Sequence, residues 1–235
     1  MPDPETGVDR ERMSEVENQH HLHAKPLLRG VAPLVSFPIM IVLGGALLLL
    51  ADLPGSSFPP LLLYVIGTVT MFGVSALYHR GRWSPRGRAL MQRFDRTAIF
   101  LAIAGGYTPV VVLCLEGWWQ WGILAAVWFG SAVGVLLHWI PRVPRAYRGA
   151  SYILVSWSAI IALPSLWDGL GRVGFALILG GGVCYTLGAI ALATRWPDPW
   201  PKVFGFHEVF HAFTVVAAGL QYAAIAGIVA PRLAS

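Results

Sequence analysis

Seven runs of mostly apolar residues dominate the chain, at 32–51, 59–79, 95–115, 120–140, 148–166, 173–194 and 207–230. A helix rises 1.5 Å per residue, so roughly 20 such residues cross the ~30 Å hydrocarbon core of a bilayer. The pattern therefore predicts an all-α membrane protein, a seven-transmembrane helix bundle over residues 27–235 behind a polar tail at 1–26 that is expected to be disordered. Turn-forming residues separate the runs: Asp52-Leu53-Pro54-Gly55, then Pro141 and Pro144, then Trp196-Pro197-Asp198-Pro199. Glycine groups at Gly44-Gly45, Gly105-Gly106 and Gly180-Gly181-Gly182 read as sites of close helix packing. Pro38, Pro109 and Pro164 fall inside runs and are expected to kink them.

Composition agrees with a membrane environment. Of 235 residues, 56% are hydrophobic and 12% charged, against about 25% charged in soluble domains. The net charge of +5 does not mark a nucleic-acid surface, because the basic residues are spread through short loops and form no single face. Nucleic acid is excluded as a partner, membrane lipids are the partner expected, and nothing points to a protein partner. The loops at 80–93, 141–148 and 195–202 carry Arg80, Arg82, Arg86, Arg88, Arg93, Arg142, Arg145, Arg148, Arg195 and Lys202, whereas the first-to-second and third-to-fourth loops carry none. By the positive-inside rule the N-terminus is cytoplasmic and the C-terminus extracytoplasmic, in a multi-pass protein of the cell inner or plasma membrane. Lys25 and Arg29, just ahead of the first run, agree with that orientation. The tail is net acidic, unlike a signal peptide, so no cleavage is expected. Cys114 and Cys184 lie inside apolar runs and read as core residues.

Ionisable residues in or at the ends of spans are costly and mark function. His79 ends the second run, Asp95 opens the third, and His207 and His211 open the seventh, all at the cytoplasmic edge under this topology. Ser75 precedes His79 by four residues and shares its helical face one turn deeper. His207 and His211, also four apart, can grip one ion, and His79 from another helix completes a three-histidine set with an open fourth position. Neutral nitrogen ligands favour zinc, with iron, cobalt and copper open on ligand type alone. His138, beside Trp139, reads as a hydrogen-bonded interfacial side chain, and His20-His21-Leu22-His23 as a solvated part of the tail. The string His207-Glu208-Val209-Phe210-His211 also has the zincin form, but no His, Asp or Glu follows it to supply that pattern's third ligand. Glu208, about 100° round the helix from His207, is a candidate supporting residue behind the ligands, or a favourable charge at the helix N-terminus.

Ser75-Ala76-Leu77-Tyr78-His79, Phe94-Asp95-Arg96-Thr97, Gly106-Tyr107-Thr108-Pro109 and the last-helix His207-Glu208-Val209-Phe210-His211 together resemble the hemolysin III family. That family is the bacterial branch of the progestin and adipoQ receptor superfamily, which includes the adiponectin receptors. The resemblance runs from about Leu27 onward and implies zinc ligands at His79, His207 and His211, with Ser75 and Asp95 as the polar pair beside the metal's water. Alkaline ceramidases and related receptors imply a zinc-dependent hydrolase of a lipid amide or ester at the cytoplasmic side. In that reading Asp95 orients the water or takes its proton, and Ser75 hydrogen-bonds the water or the developing oxyanion. Two rivals stand beside it: a non-enzymatic receptor or membrane-homeostasis regulator with a structural zinc, and a hemolysin-type pore. A pore needs a polar stripe through the depth of a span, and the middles of most runs are apolar.

Overall fold

The computed structural model describes residues 26–50, 55 and 57–234. The expected tail, apart from Pro26, and most of the 52–55 turn lie outside the described residues. What is described is helical, with no strand among the described residues and one isolated bridge between Trp200 and Phe204. The elements are α1 (Val31–Leu50), α2 (Phe58–Arg80), α3 (Pro85–Cys114), α4 (Gly117–Trp139), α5 (Arg145–Ser156), a 3-10 turn (Ser158–Ala162), α6 (Leu163–Thr194), α7 (Phe206–Ala224), a π turn (Ile225–Val229) and α8 (Ala230–Ala234).

In lipid, helix association is not driven by hiding apolar side chains from water, so both faces of a span are apolar and the interior is distinguished by small residues. Val42, Leu49, Phe129 and Leu154 accordingly point outward, each more than two-thirds exposed. The most extensive pairings are α2 with α3 and α6 with α7, while α1 with α7 and α3 with α6 help close the bundle. Glycine makes the first pairing possible: a Cβ on Gly105 would stand 2.5 Å from the Leu63 carbonyl oxygen, and one on Gly67 2.7 Å from that of Leu101. Met40, Met71, Phe72, Ala98, Ala102 and Ala218 form the apolar layer joining α1, α2, α3 and α7. A second layer, with Leu47, Leu61, Tyr64, Leu170 and Ile225, fills the other end of the bundle, where the Ser57 hydroxyl donates to the Leu233 carbonyl at 2.8 Å.

Six stretches are long and apolar enough to cross a membrane, where the sequence pattern predicts seven. Five match expected runs to within a few residues or extend them. The fifth and sixth expected runs instead join into one helical stretch of 50 residues, Arg145–Thr194. Within it Gly171 has non-helical angles, φ 68° and ψ 176°, a conformation that suits glycine. The Trp157 indole N–H donates to the Thr186 hydroxyl at 3.2 Å, two partners equally spaced about the Gly171–Arg172 bond. Pro164 lies in the first turn of α6, directly after the 3-10 turn that interrupts the fifth expected run, where its missing N–H costs no helical hydrogen bond.

The second difference concerns Asp95. It does not open a helix: α3 begins ten residues earlier, at Pro85, with Ser84 as N-cap accepting the Gly87 N–H at 3.2 Å. The apolar run marks where the helix enters hydrocarbon, whereas the Ser-Pro cap sets where it starts. Arg86, Arg88 and Arg93 are therefore helical. Arg88 lies over the Tyr78 ring at 5.5 Å and Arg93 over the Trp139 ring at 5.6 Å, fixing the α3 extension against the ends of α2 and α4.

Candidate metal centre

The N-terminal end of α7 begins the site. The first turn of any helix has N–H groups without helical partners, and His207 sits within that turn. Two carboxylates supply acceptors there. Asp198 Oδ1 accepts the Phe206 N–H at 2.9 Å, and Glu208 Oε2 accepts the Gly205 N–H at 2.9 Å. With the turn closed, the helical period stacks His211 one turn above His207, their ring centroids 4.7 Å apart. His79, one residue before the end of α2, meets both: its Nε2 lies 3.2 Å from that of His207 and 3.3 Å from that of His211. The ligand nitrogens of all three residues lie within 4.8 Å of one another.

These spacings fit a shared cation. Four ligands held tetrahedrally at 2.0–2.1 Å from zinc stand about 3.3–3.4 Å apart, close to both measured separations. Hydrogen bonding accounts for them less well. A ring nitrogen carries either one hydrogen or one lone pair, so His79 Nε2 cannot make well-directed bonds to two imidazole nitrogens at once. The rings also fan about a common point, with His79 inclined at 75° to His207 and 87° to His211. His211 is buried and His207 half-buried, so water competes weakly for the position between them. The three histidines can hold a metal ion, and they are the one such group among the described residues.

Ser75 and Asp95 come together as neighbours, the buried Ser75 hydroxyl lying close enough to the Asp95 carboxylate to interact with it. Ser75 lies one turn from His79 on α2. Glu208 is 3% exposed, and both of its oxygens are engaged, Oε2 by Gly205 and Oε1 by the Arg29 Nε at 2.5 Å. Its position is thus the helix N-terminal one, and its cation is Arg29. His138 stands apart from the trio. Its Nδ1 lies 2.9 Å from the Gly134 carbonyl and its ring packs against Phe100 and Tyr152, the hydrogen-bonded role expected of it. His20, His21 and His23 lie outside the described residues.

Sequence reasoning assigned Arg29 to topology alone and passed over Gly30 and Asp198, all of which adjoin the site. Arg29 carries the ion pair to Glu208, Asp198 caps α7, and Gly30, at φ 78°, lies so near α2 that a Cβ on it would be 2.4 Å from His79 Cβ. The signal available for Asp198 was a carboxylate a few residues ahead of an apolar helix. Arg29 had none beyond its charge.

Comparison with known proteins covers the same ground. A sequence model of proteins described as haemolysin-III related matches residues 21–222, a span that contains all three histidines, Ser75, Asp95 and Glu208. The chain is 28% identical over 212 residues to Hemolysin-3 of Bacillus cereus, covering 88% of this chain and 91% of that protein. It is 26% identical over 208 residues to the Hemolysin-3 homolog of Bacillus subtilis (strain 168), covering 85% of this chain and 90% of that one.

Proposed function

The chain belongs to the haemolysin-III related family and is a multi-pass membrane protein, and from that premise we propose that it is a zinc-dependent hydrolase of a lipid amide or ester, working at the cytoplasmic side of the bilayer. The observation that carries the reading is the donor set itself: three imidazole nitrogens converge with 3.2 and 3.3 Å spacings, and no fourth protein ligand joins them among the described residues. Structural zinc sites fill all four positions from the protein, whereas catalytic ones keep one open.

His79, His207 and His211 would hold the metal, which supplies a Lewis acid and a water activated near neutral pH. The protein's own part lies with Asp95 and Ser75. The Asp95 carboxylate would accept the proton that the attacking water gives up, and the neighbouring Ser75 hydroxyl would orient that carboxylate. The apolar layer of α1, α2, α3 and α7, about two turns from the histidines, would suit an acyl chain. A lipid headgroup carbonyl at the leaflet surface is at the same depth as the helix ends that carry the site.

Placing the site on the cytoplasmic side rests on the arginine distribution and on seven passes. The break at Gly171 and the Trp157–Thr186 bond about it support counting Arg145–Thr194 as two antiparallel passes, which puts the termini on opposite sides. A reporter fused after Ser235 is expected to be active only as a type that needs the extracytoplasmic side, and one inserted at 82–88 only as a cytoplasmic type. Activity of both reporters on one side would remove a pass.

The function is tested with purified protein in lipid bilayers, metal-replete against chelator-stripped, on a panel of lipid amides and esters. Fatty acid is expected from at least one substrate, lost on stripping and restored by zinc. No metal-dependent release across the whole panel would sink the hydrolase reading, while a negative on ceramide alone would leave other lipids to be tried.

A further inference from the structure

Residues 26–30 form a strap that lies across the two helices bearing the histidines. Its backbone is tied to the segment before α7, Leu27 N–H donating to the Lys202 carbonyl at 3.0 Å and Leu28 N–H to that of Val203 at 3.1 Å. Its next two residues reach the site from opposite sides. Arg29 holds Glu208 Oε1, one residue from His207 in sequence, while Gly30 lies against His79 closely enough that even a methyl group there would overlap the His79 Cβ. The strap therefore touches the ligand-bearing turns of both helices at once.

The chemistry of Glu208 makes the arginine necessary. The carboxylate is 3% exposed and lines a pocket of about 180 Å³ whose other walls include Leu28, Val31, Phe204 and Ala212. The guanidinium of Arg29 is the hydrogen-bond partner of its Oε1. Held by Arg29 on one oxygen, it accepts the Gly205 N–H on the other and so holds the first turn of α7, on which His207 depends. Without Arg29, Oε1 loses its hydrogen-bond partner and the carboxylate can rotate away from the Gly205 N–H, which loosens that turn.

We propose that Arg29, acting through Glu208, and Gly30, acting by contact with His79, are positioning residues that set the spacing of the three histidines and hence the retention of the metal. This rests on the metal-centre reading above. Partners that orient metal ligands typically change affinity by 10–100-fold when removed. The strap extends that role to a segment ahead of the first span.

The test is the rate at which a chelator removes zinc from the full-length protein in detergent, read beside the thermal unfolding temperature. Arg29→Gln is expected to release zinc about tenfold faster, and Arg29→Lys, which keeps the charge, to fall between it and the native chain. The double substitution Arg29→Gln with Glu208→Gln pairs two neutral amides and is expected to recover part of the loss, so that the two effects are less than additive. Ser57→Ala, which removes a hydrogen bond at the other end of the bundle, serves as the control: it lowers the unfolding temperature and leaves zinc release unchanged. Native release rates in both Arg29→Gln and Arg29→Lys would overturn the proposal, as would zinc loss that merely tracks unfolding temperature across all variants, Ser57→Ala included. Should Arg29→Gln not fold, Arg29→Lys and the double variant decide it on the same readout. A native protein that holds no zinc at all would instead overturn the metal centre itself.

Discussion

Asp95→Asn is expected to keep its zinc and lose at least about a hundredfold in the turnover of a lipid amide. General-base catalysis contributes about 10²–10⁴-fold, and the amide preserves the shape of the carboxylate while removing its ability to take a proton. The Ser75 hydroxyl would still find an acceptor in the carbonyl of the substituted amide, so the loss should fall on kcat with KM nearly unchanged. Glu208→Gln should behave differently. Both Glu208 oxygens are committed, to Arg29 and to the Gly205 N–H, so its replacement acts on the first turn of α7 and on metal retention, with a smaller loss of kcat once zinc is saturating. A zincin-like mechanism requires the reverse order, with Glu208→Gln abolishing turnover and Asp95→Asn tolerated. Steady-state kinetics on metal-saturated variants separate the two.

The second large effect is on metal content. His79→Ala, His207→Ala and His211→Ala are each expected to lose bound zinc, since two neutral nitrogens hold it far less well than three. His79 should matter most, because it is the one donor from α2 and its Nε2 is close to both partners. Without it, α7 keeps an i, i+4 pair that has no anchor on another helix. His138→Ala should keep the full complement, because that ring is occupied with Gly134, Phe100 and Tyr152. Metal analysis of the four purified variants reads this directly, and equal loss from His138→Ala would show that the third ligand was misassigned.

The histidines were legible in the sequence because both regularities that place them are local. Four-residue spacing fixes His207 and His211 on one face of any helix, and the boundaries of the apolar runs put His79 at the same depth. Ser75 was legible for the same reason. Asp95 was found by its depth in the membrane but misplaced in its helix, since hydropathy locates the bilayer and cannot see the arginine-rich segment that Ser84 and Pro85 recruit into α3. The stretch over 145–194 shows the converse. Its apolar runs signal two crossings, while α6 continues through Trp167-Asp168-Gly169-Leu170, the loop expected between them, and departs from helical angles at Gly171, where glycine alone readily adopts the required φ. The π turn at 225–229 left no signal in a run of small apolar residues.

Least legible was the strap. Arg29 and Glu208 are 179 residues apart, and an arginine just ahead of a first span is also what orientation in the membrane demands. One residue can serve both needs, and only the tertiary contact reveals the second. Gly30 likewise becomes intelligible once His79 is seen beside it. The sequence shows which residues can bind metal, but not what holds them 3.2 Å apart.

X-ray absorption at the zinc edge on the purified, native protein tests the centre most directly. The account predicts about one zinc per chain with a shell of three imidazole nitrogens and one oxygen, all near 2.0–2.1 Å. A shell containing sulfur, four imidazoles, or no stoichiometric zinc after metal-replete purification would contradict it.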